Sequence, residues 1–437
     1  MQGFLKWLEE KFMPVVAKVG NQRHISAMKD GFIGAMPFMI IGSIMLILAF
    51  PPFPADTTNF IGKAWVNFSS NYFDILLVPN SMTMAIMSIF ISAGIGYSLA
   101  KSYNLNPLSG ALMALSGYLL IGAQAVDGGL PTAYMDGKGV FTAVIASFFA
   151  VELMRFLMVR NIRIKMPDGV PPAISASFDA LIPVFLMVAI LYPISIAVQH
   201  YTGYTVPAAI MEIFKPLVGA VDTLPGILFA VFLAHLLWFA GIHGASIVGG
   251  ILGPFYAINI SANQAALAAG EALPSIFTNP FWAFFITIGG SGATLGLVVL
   301  YLTSKSANLN AIGKVAAFPA IFNINEPVIF ASPIVMNPIL GIPFILAPMV
   351  TASIAYFALY TGMAGRGVAL PPWTTPAPIG AMWGANWQIS GLILCIVCIV
   401  VSTAIYYPFF KVYEKQLVKE EKANAAEIAA DNTTLGA

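Results

Sequence analysis

The sequence predicts an all-α polytopic membrane protein, and three observations carry that prediction: an apolar composition, repeated apolar runs of spanning length, and basic residues gathered in the short loops between them. Of 437 residues 59% are hydrophobic and only 9% charged. With a mean hydropathy of +0.84, the chain holds more apolar surface than a soluble globule of this length can bury. A formal net charge of +1 gives no footing for nucleic-acid binding, and the basic residues report orientation instead. The two cysteines, Cys395 and Cys398, stand three apart in an apolar run and read as helical core, because a zinc or redox pair brings further ligands or a soluble redox fold.

Residues 1–30 hold Lys6, Glu9, Glu10, Lys11, Lys18, Arg23 and Lys29, with Phe4, Leu5, Leu8 and Phe12 spaced for one helix face. That pattern predicts an interfacial amphipathic helix on the cytoplasmic side. It is not a secretory signal, since the apolar stretch begins too late and runs on without a small-residue cleavage pattern. Apolar runs close to the ~20 residues a bilayer core requires then follow at 32–50, 80–100, 107–125, 139–159 and 179–199, defining a membrane unit over 31–200. Between them, 51–79 reads as a long loop with scattered charge and 126–138 as a Gly-rich loop. The loop 155–165 carries Arg155, Arg160, Arg163 and Lys165 and faces the cytoplasm by the positive-inside rule, as does Lys101.

The stretch 201–223, with Tyr201, Gly203, Tyr204, Pro207, Pro216 and Asp222, is expected to be an interfacial connection between two halves. A second membrane unit over 224–410 has apolar runs near 224–240, 243–258, 280–303, 339–361 and 388–410, which brings the expected number of crossings to about ten. The loop 305–314 and the tail 411–437 then fall on the cytoplasmic side, and the polar, small residues 423–437 are expected to be disordered.

Within this second unit the stretch 322–338, FNINEPVIFASPIVMNP, places Glu326 in an apolar run, flanked by Asn323 and Asn325 and followed by Pro327. Proline breaks the helical hydrogen-bond ladder. At membrane depth broken backbone is tolerated only where protein buries it or where it lines a wet cavity, and an ionisable residue there, at an insertion cost of ~2.5–3.5 kcal/mol, marks a functional site. The alternative is a water-accessible loop with an idle glutamate. The run 235–250, HLLWFAGIHGASIVGG, brackets His243 between Gly241 and Gly244, where the backbone can bend or let a ligand approach and an imidazole can donate, accept or take a proton. A membrane histidine also serves as a plain helix-packing hydrogen bonder. His235 stands eight residues away, not at the four-residue spacing of a helical metal pair, so no metal or other cofactor is expected.

The run 289–296, GGSGATLG, fits no dinucleotide fingerprint and reads as small residues for helix packing; Gly313-Lys314 lacks the rest of a phosphate loop, which argues against ATP-driven transport by this chain alone. Trp238 lies beside the His243 bend, and Trp373, Trp383 and Trp387 crowd the Pro/Gly-rich stretch 371–387. Tryptophans at span ends serve as interfacial anchors. They also form apolar walls for sugars, whose hydroxyls are collected by carboxylate, amide and imidazole groups. Trp238, His243, Asn325, Glu326 and Trp373 supply that inventory.

The motifs WFAGIHGA around His243, GGSGATLGL, FNINEPVIF and NPILGIPFILAP, with NQRHISAMKDGFIGAMP and MPDGVPPAISASF in the first half, resemble the lactose/cellobiose-type enzyme IIC permeases of the bacterial phosphoenolpyruvate-dependent phosphotransferase system. The resemblance covers essentially the whole chain and is closest to the diacetylchitobiose and cellobiose branch. It implies a homodimer in the inner membrane with both termini cytoplasmic, re-entrant hairpins, dimerisation through 31–200, and a sugar site in 224–410. It further implies that a β-linked disaccharide is phosphorylated at its 6-hydroxyl, with Glu326 holding that hydroxyl and His243 bonding it and assisting its deprotonation. The donor would be a phosphocysteine on a separate IIB protein served by IIA, since no IIB domain is visible in the chain. The competing reading is a proton-coupled secondary sugar transporter in which Glu326 and His243 carry the proton. An intramembrane hydrolase has no serine–histidine–acid or metal constellation to support it.

Overall fold

The computed structural model describes residues 10, 11, 14, 22–123, 128–164, 166, 167, 169–171, 175, 178–332 and 334–435, with side chains as far as residue 424. Among the described residues the chain is helical, with no extended strand. The first half runs α1 (Arg23–Ala49), α2 (Phe60–Ser81), α3 (Met87–Ser102), α4 (Pro107–Gly122), α5 (Val140–Val159) and α6 (Leu181–Thr202). The second begins with α7 (Val206–Val221), α8 (Leu224–Phe239) and α9 (Gly244–Ala269). After a broken stretch it continues as α10 (Leu295–Leu302), α11 (Ala307–Ile321), α12 (Glu326–Ala331), α13 (Pro338–Tyr360), α14 (Ala377–Gly384) and α15 (Ile389–Leu435).

Among the described residues seven helical stretches are long and apolar enough to cross a bilayer, or eight when the pair α7 and α8, bent by 77°, makes one span. The expected crossings at 107–125 and 280–303 are absent from that set, because α4 is only 16 residues long and 280–303 is not one helix. The expected loop 51–79 is mostly α2, started by the Asn59 side chain accepting from the Gly62 amide at 3.1 Å. Its polar Lys63, Asn67, Asn71 and Asp74 make the run read as a loop in the sequence, whereas the chain stays helical on both sides of a kink at Tyr72. The interfacial connection expected over 201–223 is the helix α7, entered through the left-handed Gly203.

Most of the amphipathic helix expected over 1–30 lies outside the described residues; its last turns, from Arg23, are the start of α1. The tail expected to be disordered continues α15 as far as Leu435. Carboxylates on α15 dock it against the 303–308 loop: Glu414 accepts from the Ser304 hydroxyl at 2.8 Å and the Lys305 amide at 2.7 Å, and Glu421 from the Ser306 hydroxyl at 2.6 Å and the Asn308 amide at 3.0 Å.

In the first half α3 packs against α1, α4 and α5. In the second, α13 packs on α8 and α15, and α15 carries Cys395 and Cys398, both buried as free thiols. The halves meet where α9 lies along α1. α9 runs well past the expected end at 258 because its polar residues Asn259, Asn263 and Gln264 are buried and have work inside. Asn259 donates to the Phe277 carbonyl at 2.8 Å, Asn263 to Ser275 and Gly367 at 2.9 and 2.7 Å, and Gln264 to Val368 at 2.8 Å. Away from water, each non-helical carbonyl needs such a donor. These side chains therefore hold two irregular segments, 270–278 and 361–376, against α9.

Candidate functional site

Four breaks in the second half converge. The first is the bend between α8 and α9, which holds Trp238 and His243. His243 caps α9, its Nδ1 accepting from the Ser246 amide at 3.1 Å. A backbone amide can only donate, so in the neutral ring the proton sits on Nε2, which is left as a donor for a ligand. The Trp238 ring, 4% exposed, lies 4.2 Å from the His243 ring and fixes its tilt.

The second break interrupts the run expected to be a span at 280–303. A helical turn at Asn279–Phe281 passes into a π-helical turn at Trp282–Ile286, and then Gly289, Gly290, Gly292 and Ala293 all take left-handed φ. A Cβ on Gly290 would lie 2.2 Å from Asn325 Cγ, so this glycine lets the Asn325 side chain seat against the turn. The sequence reading of 289–296 as helix-packing glycines holds at Gly296, which abuts Thr403 of α15; the glycines before it shape a turn.

The third break precedes α12. Asn323, at φ 62°, accepts from the Gly289 amide at 2.9 Å and donates to the Trp373 and Thr375 carbonyls at 2.7 and 2.9 Å. One side chain thus ties the glycine turn to the fourth break, the loop 361–376. Asn325 donates to the Ser291 carbonyl at 2.6 Å and the Thr294 hydroxyl at 2.8 Å. Both its amide hydrogens are engaged within the protein, so the expected substrate-binding role narrows to holding the turn and offering Oδ1. Past α12, the Met336 amide donates to the Phe239 carbonyl at 3.0 Å and binds this break to the first.

Together these breaks enclose a cavity of about 520 Å³, within the size of small-molecule sites. Trp238, His243, Asn325, Glu326 and Trp373 all line it. Glu326 opens α12 with its side chain exposed to the cavity, makes no hydrogen bond among the described residues, and is electrostatically coupled to His243. Trp383 and Trp387 do not line the cavity; their rings stack on each other at 6.0 Å. His235 is a packing residue, 1% exposed, with Nδ1 2.7 Å from the Val231 carbonyl.

Sequence reasoning missed Lys29, Tyr256, Asn279 and Trp282 as lining residues. Lys29 read as an orientation charge in 1–30, and Trp282 as part of a span. Asn279-Pro280, a helix-start signal inside an apolar run, was the available hint of the break. With Phe32, Met36 and Ile40, Lys29 brings α1 into the wall, so the cavity is not built from 224–410 alone.

The family described as Phosphotransferase system, EIIC matches residues 29–348. This chain belongs to that family. As an EIIC chain it is 40% identical over 431 residues to the lichenan permease IIC component of Bacillus subtilis (strain 168), covering 95% of this chain and 94% of that one. It is 39% identical over 444 residues to the cellobiose-specific EIIC component of Geobacillus stearothermophilus, covering 97% of each. The crystal structure of the transporter ChbC, the IIC component of an N,N'-diacetylchitobiose-specific phosphotransferase system, matches with a TM-score of 0.89 and 39% identity, covering 95% of this chain and 99% of that one. The EIIC fold and the sugar-permease role within the phosphotransferase system follow from these matches.

Proposed function

We propose that this EIIC chain binds a β-linked disaccharide of the cellobiose and diacetylchitobiose class, moves it across the cell membrane, and presents its 6-hydroxyl to a separate phospho-IIB protein. The observation that carries this reading is that Trp238, His243, Asn325, Glu326 and Trp373 line one cavity. Trp373, half exposed, offers an apolar face for a pyranose ring, while Trp238 backs the His243 ring against the cavity. The Glu326 carboxylate accepts the 6-hydroxyl, and Nε2–H of His243 donates to the same oxygen. With Nδ1 engaged by Ser246, His243 orients the hydroxyl and Glu326 takes its proton, a role typically worth ~10²–10⁴ in rate. The breaks at 279–302 and 323–338 act as re-entrant hairpins in a ten-crossing protomer, dimerised through 31–200, with both termini in the cytoplasm.

The test is the chemical form of labelled disaccharide inside cells or vesicles supplied with the soluble partners. Sugar 6-phosphate that depends on phosphoenolpyruvate is the expected result. Free sugar accumulating in step with a proton gradient would replace this reading with the secondary-transporter one.

A further inference from the structure

We propose that Lys29 is the cation that holds the phosphoryl group during transfer to the sugar. This rests on the phosphotransfer reading above. Lys29 lies six residues into α1, about 9 Å along the helix at 1.5 Å per residue, and lines the same cavity as His243 and Glu326. It is half-buried and electrostatically coupled to His243. The lysine stem runs beside Gly250 of α9, where an added Cβ would stand 3.4 Å from the Lys29 Cβ. Among the described residues Lys29 makes no ion pair, and the neighbouring Asp30 is turned away, accepting from the Ser98 hydroxyl at 2.6 Å.

An ammonium in a partly desolvated wall without a partner is costly. A neutral disaccharide offers it no anion, whereas a transferring phosphoryl group offers three charged oxygens. In the step itself, the sulfur–phosphorus bond of the IIB phosphocysteine breaks as the bond from phosphorus to the sugar O6 forms. The hydroxyl proton passes to Glu326 and the thiolate leaves on IIB. Catalysis of such a transfer is mostly positioning and neutralisation of charge on the equatorial oxygens, and Lys29 is the cavity-lining side chain suited to it. Because Lys29 comes from α1 while Glu326 and His243 come from the second half, the charge set is complete only while α1 lies against α9. Sugar recognition and phosphoryl recognition are thereby divided between the halves.

The experiment compares full-length wild type, Lys29→Met and Lys29→Arg. Equilibrium sugar binding is measured in detergent, competition of sugar 6-phosphate against labelled sugar on the same samples, and phosphoenolpyruvate-dependent phosphorylation in membranes with IIA and IIB. Lys29→Met should bind sugar within about threefold of wild type, lose about 10²-fold or more in phosphorylation rate, and bind the phosphorylated product about tenfold less tightly. Lys29→Arg should recover most of both losses, which a purely packing role would not predict. Retained sugar binding reports that the variant is folded. Phosphorylation by Lys29→Met at the wild-type rate overturns the proposal. So does an equal loss of sugar binding and phosphorylation, which would make Lys29 a counter-charge to Glu326. A wild-type chain that forms no sugar phosphate under these conditions overturns the phosphotransfer reading itself.

Discussion

The imidazole of His243 begins a helix with one nitrogen and leaves the other for a ligand, so its two roles separate by substitution. His243→Asn keeps a capping side chain, whereas His243→Ala removes the cap at a cost of about 1 kcal/mol. Thermal unfolding in detergent should therefore place Asn near wild type and Ala below it, while both lose about 10²-fold in sugar phosphorylation with the oriented donor. A full rate in the Asn variant would remove His243 from the reaction. At Glu326, the change to Gln keeps the shape and a hydroxyl partner but removes the proton acceptor. Phosphorylation should fall by ~10²–10⁴ with sugar affinity weakened only by the ~1–3 kcal/mol of a hydroxyl left poorly matched once sugar closes over it; a titration of binding beside the rate assay separates the two. Both residues were legible as cavity residues because an ionisable group beside Pro327, or between Gly241 and Gly244, is a functional candidate by default at membrane depth. Asn323 was not legible as the knot of the site, since its three partners come from Gly289, Trp373 and Thr375, far away along the chain.

Elements in the second half are held by side chains that serve foreign backbone. Asn323→Ala leaves one amide and two carbonyls without their partner, so it should destabilise the protein by about 3 kcal/mol at ~1 kcal/mol per bond and weaken sugar binding indirectly. A melting curve at wild-type temperature would show that the glycine turn and the 361–376 loop are held by other means. Gly290→Ala carries the same argument through sterics, because a methyl there would meet Asn325 and the φ of 103° disfavours any side chain. Both changes should reach the first half only through the 361–376 loop, where the Leu370 amide donates to the Ser43 hydroxyl of α1 at 3.1 Å. Near the 303–308 loop, Glu414 is 5% exposed and accepts from Ser304 and Lys305. Its change to Ala should free the 303–308 loop, raising hydrogen exchange there with little effect on sugar binding. Apolar runs of spanning length marked most of the long helices, but not α2, whose polar residues mimic a loop, nor the end of α9, whose polar residues mimic a boundary.

At the scale of the whole molecule, the proposed orientation rests on where the basic loops lie, and the proposed dimerisation on the resemblance to the IIC permeases. With the loop at Arg160 cytoplasmic, a cysteine placed there should react with an impermeant thiol reagent in inverted vesicles and stay unlabelled in intact cells. Labelling from outside would reverse the topology. With dimerisation through 31–200, cysteines on the outward apolar faces of that region should crosslink between protomers and those beside Glu326 should not; the opposite pattern would exchange the roles of the halves.

What the sequence by itself determined is what depends on the local solvent: a chain this apolar belongs in a bilayer, ~20-residue apolar runs mark candidate crossings, and Glu326 and His243 in broken apolar stretches are singled out because the membrane penalises idle polar groups. Only the tertiary structure decided which breaks meet. It drew Lys29 of α1 into the wall, set Trp383 and Trp387 outside it, engaged the amide hydrogens of Asn325 inside the protein, and turned an apparent span at 280–303 into two short arms around a glycine turn. The reason is that irregular backbone in a membrane must find its hydrogen-bond partners within the protein, and here those partners are distant in the chain, where composition and periodicity carry no record of them.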